Sequence, residues 1–382
     1  MANVLFVTWD GGGNLPPALG IGAELRRRGH SVRFLGHPQQ RDAIETAGFR
    51  FEGYAQARPW SSAHQKRGLK APFDIVSVFS DAGPGQDLMA SMARERADLV
   101  VIDCLLFGAL EAANRAGLRR AVLMHTFSSF FLRSWARGPM GQLAHLKGRR
   151  PLRLWSTADL TLVTTLRDLE PDAGKIDRRP LRHTGVVWQG YPRPSRPGPE
   201  PLVLVSLSTT DYPGQAATLQ SILNGLSDLP VRVIVTTGPA VSPAVLRAPP
   251  NVEVREFVPH TDVMPEASLV VTHGGHATAM LALAHDVPLL VMPMLSMLDQ
   301  PMIGRSLEAH RAARMVSKKA SPEVIRGAIR DLLNDERYRR GAAEIGARIR
   351  ARDGAATAVD ALIEKGLLPA SARGATASST AG

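Results

Sequence analysis

The sequence predicts an α/β protein of two similar halves, each a parallel sheet wound with helices. Three observations predict it. Short apolar, β-branched runs alternate with helix-length segments in both halves, the rhythm breaks once at a proline-rich stretch, and 382 residues are many for a single hydrophobic core.

Taken in order, NVLFVT (residues 3–8) is an apolar run suited to a strand buried on both faces. After a glycine-rich turn, residues 16–28 place Leu19, Ala23 and Leu25 at roughly helical spacing, and Gly29 supplies a stop. SVRFLG follows as a second strand. ADLVVID (97–103) and RAVLMH (120–125) then flank a helical stretch, 107–116, which is the rhythm of parallel βαβ units. The segment GYPRPSRPGPEP (190–201) is nearly half proline and can form neither helix nor inner strand, so it reads as a stiff linker. Beyond it, strands are expected at 202–208, 231–237, 268–273 and 287–293, with helices at 322–333, 336–352 and 355–365. The expected organisation is therefore a first domain (1–189), the linker (190–201), a second domain (202–352), a helix (353–367) packing back on the first domain, and a disordered Ala/Ser/Thr/Gly tail (368–382).

Composition narrows the partners. A net charge of +11 could attract nucleic acid, anionic lipid or a phosphorylated ligand. The cations are spread along the chain, with local clusters at 26–28, 147–153 and 337–340, and no aromatic-studded basic strand or helix-turn-helix pattern points to nucleic acid. A solvated basic surface and weak contact with an anionic membrane surface both remain open. With Cys104 as the one cysteine, no internal disulfide can form, and no apolar run is long enough to cross a bilayer. The start, MANVLFVTWDGGG, reads as a strand rather than a signal peptide, so a cytoplasmic protein is expected, as monomer or homodimer.

The strongest chemical signal runs from Thr272 to Gln300. A strand ends at His273, Gly274–Gly275 turn tightly, and residues 276–284 open a helix whose N-terminal N–H groups and dipole suit a phosphate. Thr278 adds a hydroxyl and His273 an imidazole donor. Such a junction alone also occurs for purely geometric reasons. The wider pattern, His-Gly-Gly, a helix, an apolar Val-Pro strand, then Pro and Asp-Gln, resembles the donor-binding signature of family 1 glycosyltransferases. These are GT-B-fold enzymes, two facing Rossmann-like domains with a linker, and the group includes plant secondary-metabolite and actinobacterial antibiotic glycosyltransferases. FVPHTDVMPEASLVVTHGG (257–275) resembles the family's nucleobase-contacting segment, and the opening strand, the linker and VSLST are similar too.

The resemblance implies that His273, Gly274, Gly275 and Thr278, with the neighbouring His276 and Ala277, hold a diphosphate. Asp299 and Gln300 would bind sugar hydroxyls, Phe257 and Val258 the base, and Ser208 and Thr209 the phosphate end. Asp299 also reads as a plain helix N-cap. Two departures stand out: Ala277 replaces the usual third glycine, and five residues separate Pro293 from Asp299. The scheme expects no cofactor beyond a TDP- or UDP-sugar co-substrate and no metal, because helix dipole and donors can neutralise the leaving group and no Asp-x-Asp pair is present.

The pattern breaks at the base. Family members usually carry a histidine in a Gly-His-x-x-Pro loop after the first strand; this chain reads Gly12-Gly13-Asn14-Leu15-Pro16, with glycine where histidine is expected. Three replacements are open: Asp10 in the same loop, Asp103 at a strand end where the family has the aspartate that orients the histidine, and His125 at the next strand end. Each has a bland counterpart, bracing a loop, bonding nearby backbone, or packing in the core. Gly12, Gly13, Asn14, Phe127 and Phe130 are expected at the acceptor, and the aromatic stretches 60–79 and 125–135, without clean period, read as loops lining an apolar pocket or as a satellite core. The expected activity is inverting sugar transfer to an apolar natural-product aglycone. The alternatives are a catalytically silent nucleotide-sugar-binding or helper protein, a lipid-acceptor glycosyltransferase, or a nucleotide-sugar epimerase.

Overall fold

In a computed structural model that describes residues 1–62, 71–171, 180–188 and 192–369, the strands form two all-parallel sheets. The first holds β1 (Asn3–Val7), β2 (Ser31–Gly36), β3 (Arg50–Gly53), β4 (Leu99–Asp103), β5 (Arg120–Met124), β6 (Leu160–Val163) and β7 (Leu181–His183), in the order β3-β2-β1-β4-β5-β6-β7. The second holds β8 (Leu202–Ser206), β9 (Arg232–Thr236), β10 (Val252–Arg255), β11 (Ala267–Thr272), β12 (Leu289–Val291) and β13 (Ala313–Met315), in the order β10-β9-β8-β11-β12-β13. The strand order reverses beside β1 and β4 in one sheet and beside β8 and β11 in the other. Crevices open at the carboxyl ends of strands at such points.

Helices of the first half are α1 (Leu15–Arg27), α2 (Arg41–Thr46), α3 (Ala71–Phe79), α4 (Gly83–Arg94), α5 (Phe107–Arg115), α6 (Pro139–Leu146) and α7 (Pro151–Ser156). Those of the second are α8 (Gln215–Leu226), α9 (His260–Val263), α10 (His276–Ala284), α11 (Gln300–Ala309), α12 (Pro322–Asn334), α13 (Glu336–Arg350) and α14 (Gly354–Glu364). Two stretches expected as loops are partly helical: α3 lies within 60–79, and Phe130–Trp135 forms a wide π-type turn. Aromatic residues packed against one another set that turn, which is why no regular period was visible.

The central strands are apolar except at their ends (Asp103, Arg120, Ser206) because both faces are covered; β4, β5 and β8 are buried along their whole length. Helix α14 packs on α1, placing Ala358, Val359 and Leu362 in the core beneath the first sheet, and the Arg28 guanidinium donates to Asp360 at 2.5 Å. Leu368, expected to begin the tail, is buried with Leu367 in that core, and 370–382 lie outside the described residues. Within the expected linker, residues 192–199 carry neither helix nor strand, while 190 and 191 lie outside the described residues. The Ser195 and Arg196 N–H groups donate to His285 O and Pro265 O, both at 2.7 Å.

Helices α4 and α5 pack closely through Gly85 and Gly108. A β-carbon on Gly85 would stand 2.5 Å from Gly108 O, and one on Gly108 would overlap the Asp81 carbonyl oxygen. Gly108→Ala is expected to destabilise the fold by roughly 1–3 kcal/mol, since backbone on both sides must give way. A urea melt checks it, and an unchanged midpoint would contradict this packing.

Candidate active site

The loops that leave the carboxyl ends of β1, β5, β8 and β11 meet in a cavity of about 380 Å³. It gathers Ser208, Thr209, Phe257, Val258, His273, Gly275, His276, Ala277, Thr278, Asp299 and Gln300 from the second half, facing Gly11, Gly13 and His125 from the first. Gly274 is not in its wall. It turns the chain at φ 89°, and a β-carbon there would meet Val291 at 2.8 Å and Gln300 O at 3.0 Å, so its part is to let β11 pass close to the start of α11.

Helix α10 begins at this cavity with no side chain capping its N-terminus and no acid in its first turn. Its first-turn N–H groups keep their hydrogen-bonding capacity toward the cleft. Two imidazoles stand beside it, and His273 Nδ1 and His276 Nε2 are buried without a hydrogen-bond partner. Burial pushes His273 down to about 4; burial, with His125 nearby, pushes His276 down to about 3. Both rings are therefore neutral at pH 7 and can donate or accept one hydrogen bond per nitrogen. Phe257 is 72% exposed on the rim, a flat apolar face at the outer end of the cavity.

Asp299 lines the cavity where it opens toward the first half. Burial lifts its carboxyl above the usual range, against the opposing pull of the Thr126 hydroxyl and His125. Gln300 is 1% exposed, and its carbonyl oxygen accepts from the N–H groups of Met294 (2.8 Å) and Leu295 (3.1 Å). That oxygen is spent on closing the loop before α11. The added length of the 293–299 loop has a use, since Leu295, Met297 and Leu298 form one wall of an adjoining chamber.

The three candidate bases separate clearly. Both carboxylate oxygens of Asp10 accept from Ser62, from its N–H at 2.9 Å and its hydroxyl at 3.2–3.3 Å, and the Asp10 carbonyl accepts from the Trp60 indole at 2.8 Å. Asp10 thus braces its loop and stays out of the cavity wall, contrary to the expectation that the glycines would turn it inward. Asp103 is buried at the end of β4, with Oδ1 accepting from the Leu105 N–H and Oδ2 from the Asn14 amide, each at 3.0 Å. His125 Nδ1 lies 3.3 Å from the same Oδ2, off the line of a hydrogen bond. His125 is also the residue at which this cavity and two further chambers meet.

Asp103, Cys104 and His125 hold their ligand-type atoms within 4.8 Å of one another, the one such grouping among the described residues. Burial and the adjacent Asp103 push the Cys104 thiol well up, so the sulfur keeps its proton, which disfavours a metal there.

The chamber on the far side of His125, about 360 Å³, is walled by Trp9, Phe79, Phe130, Phe131 and Trp135 together with the 295–298 loop. Phe130 lines this chamber, and two other residues expected at the acceptor are elsewhere. Phe127 is wholly buried in the core, and Asn14 is 1% exposed, its amide reaching Thr8 Oγ1, Trp9 O and Asp103. Gly12 adopts φ 74° and faces the Thr209 hydroxyl across the cleft, and Gly13 lies in the cavity wall.

Residues 220–364 match the family described as "Erythromycin biosynthesis protein CIII-like, C-terminal domain". Over 95% of this chain and 99% of its own length, the 4'-demethylrebeccamycin synthase of Lentzea aerocolonigenes is 28% identical. The crystal structure of the kitacinnamycin glycosyltransferase superposes with a TM-score of 0.80, at 25% identity, covering 96% of this chain and 99% of that one. The chain is a nucleotide-sugar glycosyltransferase of the GT-B fold. A spinosyn rhamnosyltransferase shares the fold at a TM-score of 0.72 and 17% identity, covering 95% of this glycosyltransferase and all of that chain.

Sequence reasoning missed Tyr212, Trp9 and Thr126, which line the cavities of the glycosyltransferase, because lone residues in loops carry no periodic signal. It also missed Glu170. The Glu170 carboxylate is buried and accepts from Ser128 N (2.7 Å), Ser128 Oγ (2.8 Å) and Ser129 N (2.8 Å), with His183 Nε2 at 2.9 Å. It therefore ties down the chain that leaves His125. Burial alone would lift this carboxyl, but the hydrogen bonds from His183, Ser129 and Ser128 outweigh it and bring it down to about 2. A depressed carboxyl contributes stability above its unfolded value and loses it as pH falls toward 2. Glu170→Gln is accordingly expected to cost on the order of 2–3 kcal/mol at pH 7, with the gap to wild type narrowing below about pH 4. Denaturation at pH 7 and pH 3.5 measures it, and a gap that widens in acid would refute the assignment.

Proposed function

We propose that this glycosyltransferase moves a sugar from a thymidine or uridine diphosphate donor to a hydroxyl of an apolar, aromatic-rich aglycone, with inversion at the anomeric carbon. The observation that carries the reading is the place of His125, between the cavity at the uncapped end of α10 and the aromatic chamber, with Nδ1 toward Asp103. In this reading the diphosphate lies against the first turn of α10, receiving N–H groups and the Thr278 hydroxyl, with neutral His273 as a further donor. Phe257 and Val258 flank the base, Ser208 and Thr209 reach the phosphate end, and Asp299 accepts from a sugar hydroxyl. The aglycone occupies the aromatic chamber.

His125 Nε2 takes the proton of the acceptor hydroxyl as its oxygen attacks the anomeric carbon. The bond from that carbon to the diphosphate oxygen breaks, and the electron pair leaves with the nucleoside diphosphate. The Asp103 carboxylate, 3.3 Å from Nδ1, balances the imidazolium that forms. Attack from the face opposite the leaving group inverts the centre. The spinosyn rhamnosyltransferase that shares the fold has been solved with thymidine diphosphate and with spinosyn aglycone, which supports a thymidine donor and an aglycone acceptor here.

Two measurements test the reading. In thermal-shift titrations TDP or UDP should raise the melting temperature, by linkage, more than GDP does. Flat curves for all three would remove the donor site. His125→Ala should lower kcat by roughly 10²–10⁴-fold while leaving TDP affinity intact, whereas Asp10→Asn should transfer sugar at close to the wild-type rate. A reversed pattern would return the base to the glycine loop. Proton NMR of product made from an α-linked donor should show a β-glycoside.

A further inference from the structure

Between residues 126 and 158 the chain carries Arg133, Arg137, Lys147, Arg149, Arg150 and Arg153 and not one aspartate or glutamate. A positive stretch of this length needs partners or solvent. Arg149 has them, since it pairs with Glu111 and donates to Ser80 O at 2.8 Å. Arg137, Lys147, Arg150 and Arg153 are exposed, and none has a carboxylate partner among the described residues. Arg137 precedes α6, Lys147 and Arg150 lie in the turn after it, and Arg153 is on α7.

Apolar side chains are exposed on α6 itself and on the helix packed against it. Leu146, the last residue of α6, is 84% exposed between His145 and Lys147, and Phe73 on α3 is 55% exposed. Helices α3 and α6 pack together. Their inner sides supply Pro72, Ile75 and Met140 to the aromatic chamber, so Leu146 and Phe73 project from the elements that form its rim. A soluble acidic partner would satisfy the cations but gains little from an isolated leucine tip. A layer with anionic headgroups above hydrocarbon satisfies both.

We propose that this rim is a membrane-docking surface, on which Arg137, Lys147, Arg150 and Arg153 meet anionic lipid headgroups while Leu146 and Phe73 enter the interfacial region. It places the chamber mouth at the bilayer, so an apolar acceptor can pass into the protein without crossing water. No helix among the described residues is long and apolar enough to cross a membrane, so the attachment is peripheral and reversible.

Vesicle flotation of the full chain, with neither donor nor acceptor present, is the test. Wild type should float with vesicles of phosphatidylcholine containing about one-third phosphatidylglycerol, stay in solution with pure phosphatidylcholine, and be released by about 0.5 M NaCl, where the screening length is only a few ångströms. Removing one cation should weaken partitioning roughly fivefold, so Lys147→Gln with Arg150→Gln should weaken it about 25-fold. Leu146→Ser, which leaves charge alone, should also weaken it. TDP binding by both variants should equal wild type, confirming that they fold. Equal binding to both vesicle types, or none to either, overturns the proposal. So does charge-dependent binding that ignores Leu146→Ser and is matched by soluble polyglutamate, the behaviour expected for an acidic protein partner. Any of these failures leaves the reading of the cleft standing, because that reading is measured by nucleotide binding and transfer.

Discussion

Because β4 and β5 run parallel with Asp103 opposite Leu123, the chain leaving β5 sets His125 on the face of the sheet that carries Asp103. The pairing of β1 with β4, Val7 against Ile102, brings the glycine loop to the same point, where Asn14 donates to Asp103. One buried carboxylate is thereby shared between a loop and a strand end. A slip of one residue in either pairing would send a side chain to the opposite face and dissolve the group. The rest of the cleft is arranged around this point, with the cavity at the start of α10 on one side of His125 and the aromatic chamber on the other.

The same constraint gives meaning to the missing histidine. In the loop after β1, Gly13 has no side chain and its neighbour Asn14 bonds Asp103, so the carboxylate keeps a partner from that loop. His125 approaches the carboxylate from the neighbouring strand instead. Adjacent parallel strands end side by side, so an imidazole at one strand end can come near a carboxylate at the next without any rebuilding of the sheet. What must be held is the chain beyond the strand end, and Glu170 holds it through Ser128 and Ser129. That same region touches the second half, where Ser306 Oγ donates to Leu169 O at 2.6 Å and Ser129 Oγ lies 3.5 Å from Met302 Sδ. Helix α11, which starts at Gln300, is thus seated against the segment that fixes His125, and the spacing between Asp299 and His125 rests on that seam.

Much of the architecture was legible because a strand buried on both faces must be apolar throughout. The runs at β1, β4, β8 and β11 announce themselves, and α10 is where its glycines and alanines place it. The turn and helix start that border the cavity were legible for a related reason: Gly274, Gly275 and the start of α10 are contiguous, so a local pattern contains the local geometry. The base was not. Asp10, Asp103 and His125 each read as a carboxylate or imidazole near a strand end, and nothing in their spacing says that two of them converge while Ser62 occupies the third. Only register decides that. Glu170 was invisible for the same reason, its partners Ser128 and His183 lying far from it in the chain.

Polarity is divided within the cleft in a way that bears on which reactions it can host. The donor side is rich in unsatisfied hydrogen-bonding capacity: an uncapped helix end, the Thr278 hydroxyl, and buried nitrogens of His273 and His276 without partners. Such groups are costly to bury unless a polar ligand engages them. The acceptor side is aromatic and aliphatic and offers few polar groups to share. Isomerising a sugar in place requires polar contacts all round the ring, and the aromatic chamber supplies few of them. Transfer between unlike molecules requires this asymmetry, with one side matched to a charged diphosphate and the other to an apolar body. At the boundary sits one imidazole backed by one carboxylate, and a proton has to cross at that boundary when a glycosidic bond forms.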